Sequence, residues 1–194
     1  VVGIMGMVLT AFGETPGGFP ELGKEYFLFF LGIFSMGLGS MYYHYHPTNE
    51  TLLWDRLPMT IAFAAFFCAI VGEHVSIDKG RKLLWPLIVL GIGSALYWYG
   101  TEKSGSGDLR LYVLAQYLPV LLVPVILLLF QSRLTPVAYL WMVAGSYLAA
   151  KIAESLDRQI YASGYLLSGH SLKHLAAAFG AYVFSAALRR RKIV

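Results

Sequence analysis

Residues 37–59 read GLGSMYYHYHPTNETLLWDRLPM. An apolar run ends at Tyr43, a short polar loop follows, and a second apolar run opens after Asp55 and Arg56. The stretch reads as a polar hairpin between two membrane helices. A spanning helix needs ~20 predominantly apolar residues, and only helices or closed barrels satisfy every backbone group in hydrocarbon. Ionisable side chains are costly there, so His44 and Asp55 at the edges of adjacent spans require a reason.

The rest of the chain is of the same kind. Of its 194 residues 57% are hydrophobic and 13% charged, against roughly a quarter charged in a soluble domain. The net charge of +4 is no sign of nucleic-acid binding, because much of it sits in the tail RRRK at 189–192. A basic tail after an apolar helix is a topology signal. The single cysteine, Cys68, lies inside the run IAFAAFFCAIVG. It excludes an intramolecular disulfide and any multi-cysteine metal site, and reads as a small buried side chain.

The apolar runs predict seven spans at about 1–12, 25–44, 55–75, 83–100, 109–131, 135–153 and 168–188. The expected fold is all-α, a polytopic seven-transmembrane helix bundle forming one domain over 1–194. The opening run VVGIMGMVLTAF would reach only ~18 Å as a helix, so the first helix reads as truncated at its N-terminus. It lacks the basic start and cleavage site of a signal peptide. Pro58, Pro86, Pro119, Pro124 and Pro136 fall within the expected spans, as membrane helices tolerate. Strands are not expected, since the runs are continuous rather than alternating.

With seven spans, one side of the membrane collects Lys24, Lys79, Arg81, Lys82, Arg133, Arg189, Arg190, Arg191 and Lys192, and the other Arg56, Lys103, Arg110, Lys151 and Arg158. That bias predicts a cytoplasmic C-terminus. The 45–54 loop then faces the periplasm or an organelle lumen.

Three polar groups fall on that non-cytoplasmic side. Ser40 and His44 are spaced i,i+4 at the end of span 2, on one helical face. Asp55 begins span 3. Span 7 opens with SGHSLKHLAAA, which sets His170 and His174 one turn apart. Two histidines at i,i+4 can aim at one ion, and a third from another helix completes the layout of an open catalytic zinc site. Such a zinc makes hydroxide available near neutral pH.

The remaining polar residues read as bystanders. His74 lies ~28 Å along a helix from Asp55, and with Glu73, Asp78 and Lys79 nearby it is expected in a solvated loop. His46 sits off the face of His44, before Pro47. Lys173 is expected to snorkel to the interface. Asn49-Glu50-Thr51 is a glycosylation sequon, a pattern common by chance. The aromatic residues near span ends are the ordinary interfacial belt.

Taken together, GSMYYH, the aspartate of WDRLPM eleven residues after the histidine, and the H-x₃-H of the last span resemble the alkaline ceramidase family. That family belongs to the CREST superfamily of seven-helix membrane hydrolases, which also includes the adiponectin receptors. The resemblance, to a bacterial-type member, covers nearly the whole chain. It implies that His44, His170 and His174 bind Zn2+, that Asp55 is the general acid/base, and that Ser40 helps polarise or hold the scissile carbonyl. The implied reaction is hydrolysis of the amide of ceramide or a related N-acyl lipid taken from the membrane. The chain departs from the family in carrying Arg56 where Glu often follows the aspartate, which bears on head-group preference. It lacks the acidic stretch before helix 1 that binds calcium in the eukaryotic enzymes, so calcium is not implied. The polar segment ESLDRQI at 154–160 resembles a patch before the last helix of bacterial members, where Glu154 and Asp157 tether Arg158, support a histidine, or form a solvated loop pair. Two other readings stand beside this one: a receptor-like member of the same superfamily with a structural zinc, and a proton-coupled transporter using the His/Asp cluster as a relay. The absence of an extramembrane ligand-binding domain argues against the first, and the absence of an internal repeat against the second.

Overall fold

A computed structural model of the chain describes residues 1–12, 17–164 and 167–193. Within these residues the chain is helical nearly throughout: α1 (Val2–Ala11), a 3₁₀ turn (Pro20–Leu22), α2 (Gly23–Tyr45), α3 (Asn49–His74), α4 (Ile77–Lys103), α5 (Arg110–Leu129), α6 (Ala138–Ser155), α7 (Asp157–Gly164) and α8 (Gly169–Arg190). The only strands among the described residues are β1 (Leu134–Thr135) and β2 (Lys192–Ile193), a two-residue antiparallel pair. Among the described residues five helices are long and apolar enough to cross a membrane: α2 with its preceding turn, α3, α4, α5 and α8. α1 is a shorter apolar helix.

Several boundaries differ from the sequence expectation: α4 runs from Ile77 to Lys103 rather than over 83–100, and the starts of α3 and α6 also move. α3 starts at Asn49, not at Asp55, because Thr48 closes a capping box. The Thr51 N–H donates to Thr48 Oγ1 at 3.2 Å, and the Thr48 N–H donates to Thr51 Oγ1 at 3.0 Å. Capping satisfies the orphan donors of a helix start whatever the hydropathy of the following turn. Asp55 is therefore inside a formed helix. α6 starts at Ala138, so Pro136 precedes it rather than lying within it. The segment ESLDRQI contributes the end of α6 and the start of α7, a helix the apolar runs did not call for.

Lipid gives helices no hydrophobic reason to associate, so packing must do it. α2 and α3 cross where Gly32 meets Ala62: a Cβ on the glycine would lie 2.8 Å from the Ala62 nitrogen. Around that crossing Phe29, Phe30, Phe66 and Phe184 form an aromatic cluster, with Phe29 edge-on to Phe184 at 5.0 Å. Outward, α5 exposes Leu114, Leu121, Leu128 and Leu129, the surface expected to face lipid rather than water.

The ends of the bundle differ in character. At one end Arg191, fully buried, makes a bidentate pair with Glu73, with Nη1 to Oε2 at 2.7 Å and Nη2 to Oε1 at 2.8 Å. Tyr26 Oη donates to the same carboxylate at 2.9 Å and accepts from the Phe19 N–H at 3.1 Å. The β1–β2 pair and the bond from the Gly17 N–H to the Leu188 carbonyl lie at this end too. Arg191 is thus docked into the bundle. Arg191, expected as a solvated topology charge, is a core residue, because Glu73 supplies the partner that a buried guanidinium needs. His74 is likewise not in a solvated loop: it is buried, with Nδ1 3.3 Å from the Ile70 carbonyl.

Candidate metal centre

At the opposite end the last turn of α2 meets the first turn of α8. α8 starts where it does because Ser168 accepts the Ser171 N–H at 3.1 Å and Asp157 Oδ1 accepts the His170 N–H at 2.8 Å. A carboxylate at a helix N-terminus also opposes the helix dipole favourably. Gly169 permits close approach here. A Cβ at that position would lie 2.7 Å from the Asp157 Cα and would overlap the Ala153 carbonyl oxygen. Asp157 thus fixes the backbone of His170 from α7, a support that the sequence left open.

Three imidazoles converge there. His44 Nε2 and His170 Nε2 are 3.0 Å apart, and His170 Nε2 and His174 Nε2 are 3.1 Å apart. The three rings are steeply inclined to one another, at 75–86°, so that they meet edge-on rather than stacked. All three ligand atoms lie within 4.8 Å of one another. Tetrahedral Zn–N bonds of ~2.0–2.1 Å set nitrogens ~3.3 Å apart, close to these separations. Hydrogen bonding alone serves the cluster poorly. Each neutral Nε2 is either a donor or an acceptor, and His170 Nε2 faces two neighbours. One cation accepts lone pairs from all three, and the donor set suits zinc. The cluster is half-buried to exposed, which leaves room for a further ligand.

Ser40 lies one turn before His44 on α2 and is half-buried. Asp55, also half-buried, approaches from α3, within electrostatic reach of His44, Lys173 and Arg56. Gly39 brings the two helices together: a Cβ there would lie 3.0 Å from the Asp55 Cα and would overlap the Trp54 carbonyl oxygen. Among the described residues, neither the Ser40 hydroxyl nor the Asp55 carboxylate has a hydrogen-bond partner, so both are free to engage a substrate or water.

Lys173 does not snorkel. Its Nζ pairs with Glu154 Oε1 at 2.9 Å, and Glu154 also binds Lys151. This triad joins α6 to α8 beside the histidines. Arg56 turns to α4 and α5, its guanidinium 3.9 Å from the Trp98 ring centre and 5.0 Å from that of Tyr112. Cation–π contact of this kind holds an Arg in an apolar setting without an acid. His46 caps α2, exposed and outside the cluster. Asn49 is also exposed and donates to Glu102 Oε1 at 2.8 Å. Cys68 is fully buried.

The sequence left open whether Asp157 supports a histidine, which it does through the His170 N–H, and missed Glu154 as the anchor of Lys173. The signal for both was the acidic pair of ESLDRQI, one helical turn apart, just ahead of H-x₃-H.

No protein-family model, curated protein or solved structure matches the chain.

Proposed function

We propose that the chain is an intramembrane zinc-dependent amidase acting on ceramide or a related N-acyl lipid. The observation that carries the reading is the convergence of three Nε2 atoms from α2 and α8, with the unpartnered Asp55 carboxylate close by. The motif resemblance to the alkaline ceramidases supplies the substrate class. α1 and α6 complete the seven spans with the five longer helices. The excess of lysine and arginine at the C-terminal end sets that end in the cytoplasm and the histidines toward the periplasm or lumen.

His44, His170 and His174 would hold the zinc through neutral rings, each leaving its proton on Nδ1. When bound, the ion would supply Lewis acidity and make water easier to deprotonate near neutral pH. Ser40 Oγ donates a hydrogen bond to the carbonyl oxygen and holds it in register. Asp55 accepts the proton lost by the attacking water, then delivers it to the amide nitrogen as the C–N bond breaks. The products are a fatty acid and a sphingoid-type amine. Asp157 keeps His170 in place through its backbone, and the Lys173–Glu154–Lys151 triad keeps α8 against α6.

The test is metal content and hydrolysis measured on one preparation. About one zinc per chain is expected, lost in His170→Ala, with release of fatty acid from labelled ceramide or an N-acyl relative. Zinc-free protein with full hydrolysis sinks the metal reading. Zinc-loaded protein inert toward a broad panel of amide lipids leaves the receptor-like reading in its place.

A further inference from the structure

Far from the histidines, at the other end of α2 and ~30 Å along its axis, a cavity of about 340 Å³ opens between the first turns of α2 and α4. Lys24, Arg81 and Lys82 line it together with Asp78 and the exposed Trp85. Its deeply buried lining is Glu25 and Leu84, each 1% exposed. Glu25 poses a physical problem. Its Oε2 is buried without a hydrogen-bond partner, and among the described residues it joins no ion pair. Lys24 and Arg81 lie within electrostatic reach but do not contact it. A buried carboxylate with a free acceptor is costly unless something donates to it.

The cavity therefore offers both signs of charge: three cations and the exposed Asp78 at its rim, with Glu25 and its unsatisfied Oε2 below them. Lysines and arginines at the end of membrane helices engage lipid phosphates, and an exposed tryptophan at that level is an interfacial anchor. We propose that this cavity binds the headgroup of a phospholipid that carries a primary ammonium, of the phosphoethanolamine type. The phosphate sits on Lys24, Arg81 and Lys82, and the ammonium donates to Glu25 Oε2. A choline headgroup carries the same charges but has no N–H to donate. A glycerol headgroup donates but brings no cation. Only the ammonium meets both requirements. This site is independent of the chemistry at the histidines.

The experiment is native mass spectrometry of the full chain released from detergent micelles doped with one lipid at a time. Phosphatidylethanolamine, its mono- and dimethyl derivatives, phosphatidylcholine and phosphatidylglycerol are compared at equal acyl chains. A hydrogen bond to a charged group is worth about tenfold or more in affinity. Phosphatidylethanolamine should therefore be retained over phosphatidylcholine by about that factor, with the methylated pair between them. Glu25→Gln should bring the two lipids level, and Arg81→Ala with Lys82→Ala should weaken retention of all of them. Equal retention of phosphatidylethanolamine and phosphatidylcholine overturns the assignment, as does a preference for phosphatidylglycerol. Soluble phosphoethanolamine competing as well as the lipid overturns the lipid occupant. The methylation series needs no variant, so the test survives misfolding of Glu25→Gln.

Discussion

Replacing Arg191 by Met keeps an unbranched side chain but removes the guanidinium and its charge. Glu73 then stays fully buried with only Tyr26 Oη, 2.9 Å away, to donate to it. Removing one partner of a buried pair costs about 3–5 kcal/mol. The loss of stability in Arg191→Met should thus be about 3–5 kcal/mol. Equilibrium unfolding in mixed micelles, followed by tryptophan fluorescence, measures it. Adding Glu73→Leu to Arg191→Met should restore most of the stability, since replacing both partners by apolar groups is near neutral. The reasoning fails if Arg191→Met lies within about 1 kcal/mol of the parent at pH 7, a cost typical of exposed pairs. It fails equally if the double variant is as unstable as the single one.

Asp55→Asn should keep its metal and lose about 10²–10⁴-fold in turnover, measured by fatty-acid release; undiminished turnover removes Asp55 from the proton path. Asp157→Ala removes the acceptor of the His170 N–H, costing about 1 kcal/mol, and should speed zinc loss to a chelator. Asp157→Asn, whose Oδ1 can still accept the His170 N–H, should behave nearly as the parent, and equal zinc retention in Ala and Asn would show that this bond does not hold the site. Gly39→Ala forces a Cβ onto the Trp54 carbonyl and should separate α2 from α3, lowering both stability and zinc content; a stable, zinc-loaded variant would mean that the helices have slack there. A cysteine at exposed Asn49 should react with an impermeant reagent only from the non-cytoplasmic side, and labelling from the cytoplasm alone reverses the orientation.

Most of the helical layout was readable because hydropathy is a local quantity. A run of ~20 apolar residues has one low-cost state in a bilayer, so α2 to α5 and α8 lie close to where the runs predicted them. The i,i+4 spacing of His170 and His174 was equally local, since helical geometry alone puts them on one face. Where local signals conflicted, the reading slipped. The start of α3 lies in polar sequence, and the Thr48–Thr51 capping box outweighed hydropathy there.

By itself, then, the sequence determined a helical membrane chain carrying a histidine pair and a third histidine near a span end. Only the tertiary structure decided that His44 comes within 3.0 Å of His170, across 126 positions. It alone decided that Arg191 belongs to Glu73 rather than to water, and that Glu25 Oε2 is buried without a hydrogen-bond partner. The physical reason is the same in each case. A charged or polar side chain has no fixed meaning along the chain, because its energy depends on what stands opposite it. What stands opposite is set by helix packing, through contacts as small as the missing Cβ of Gly39 and Gly169.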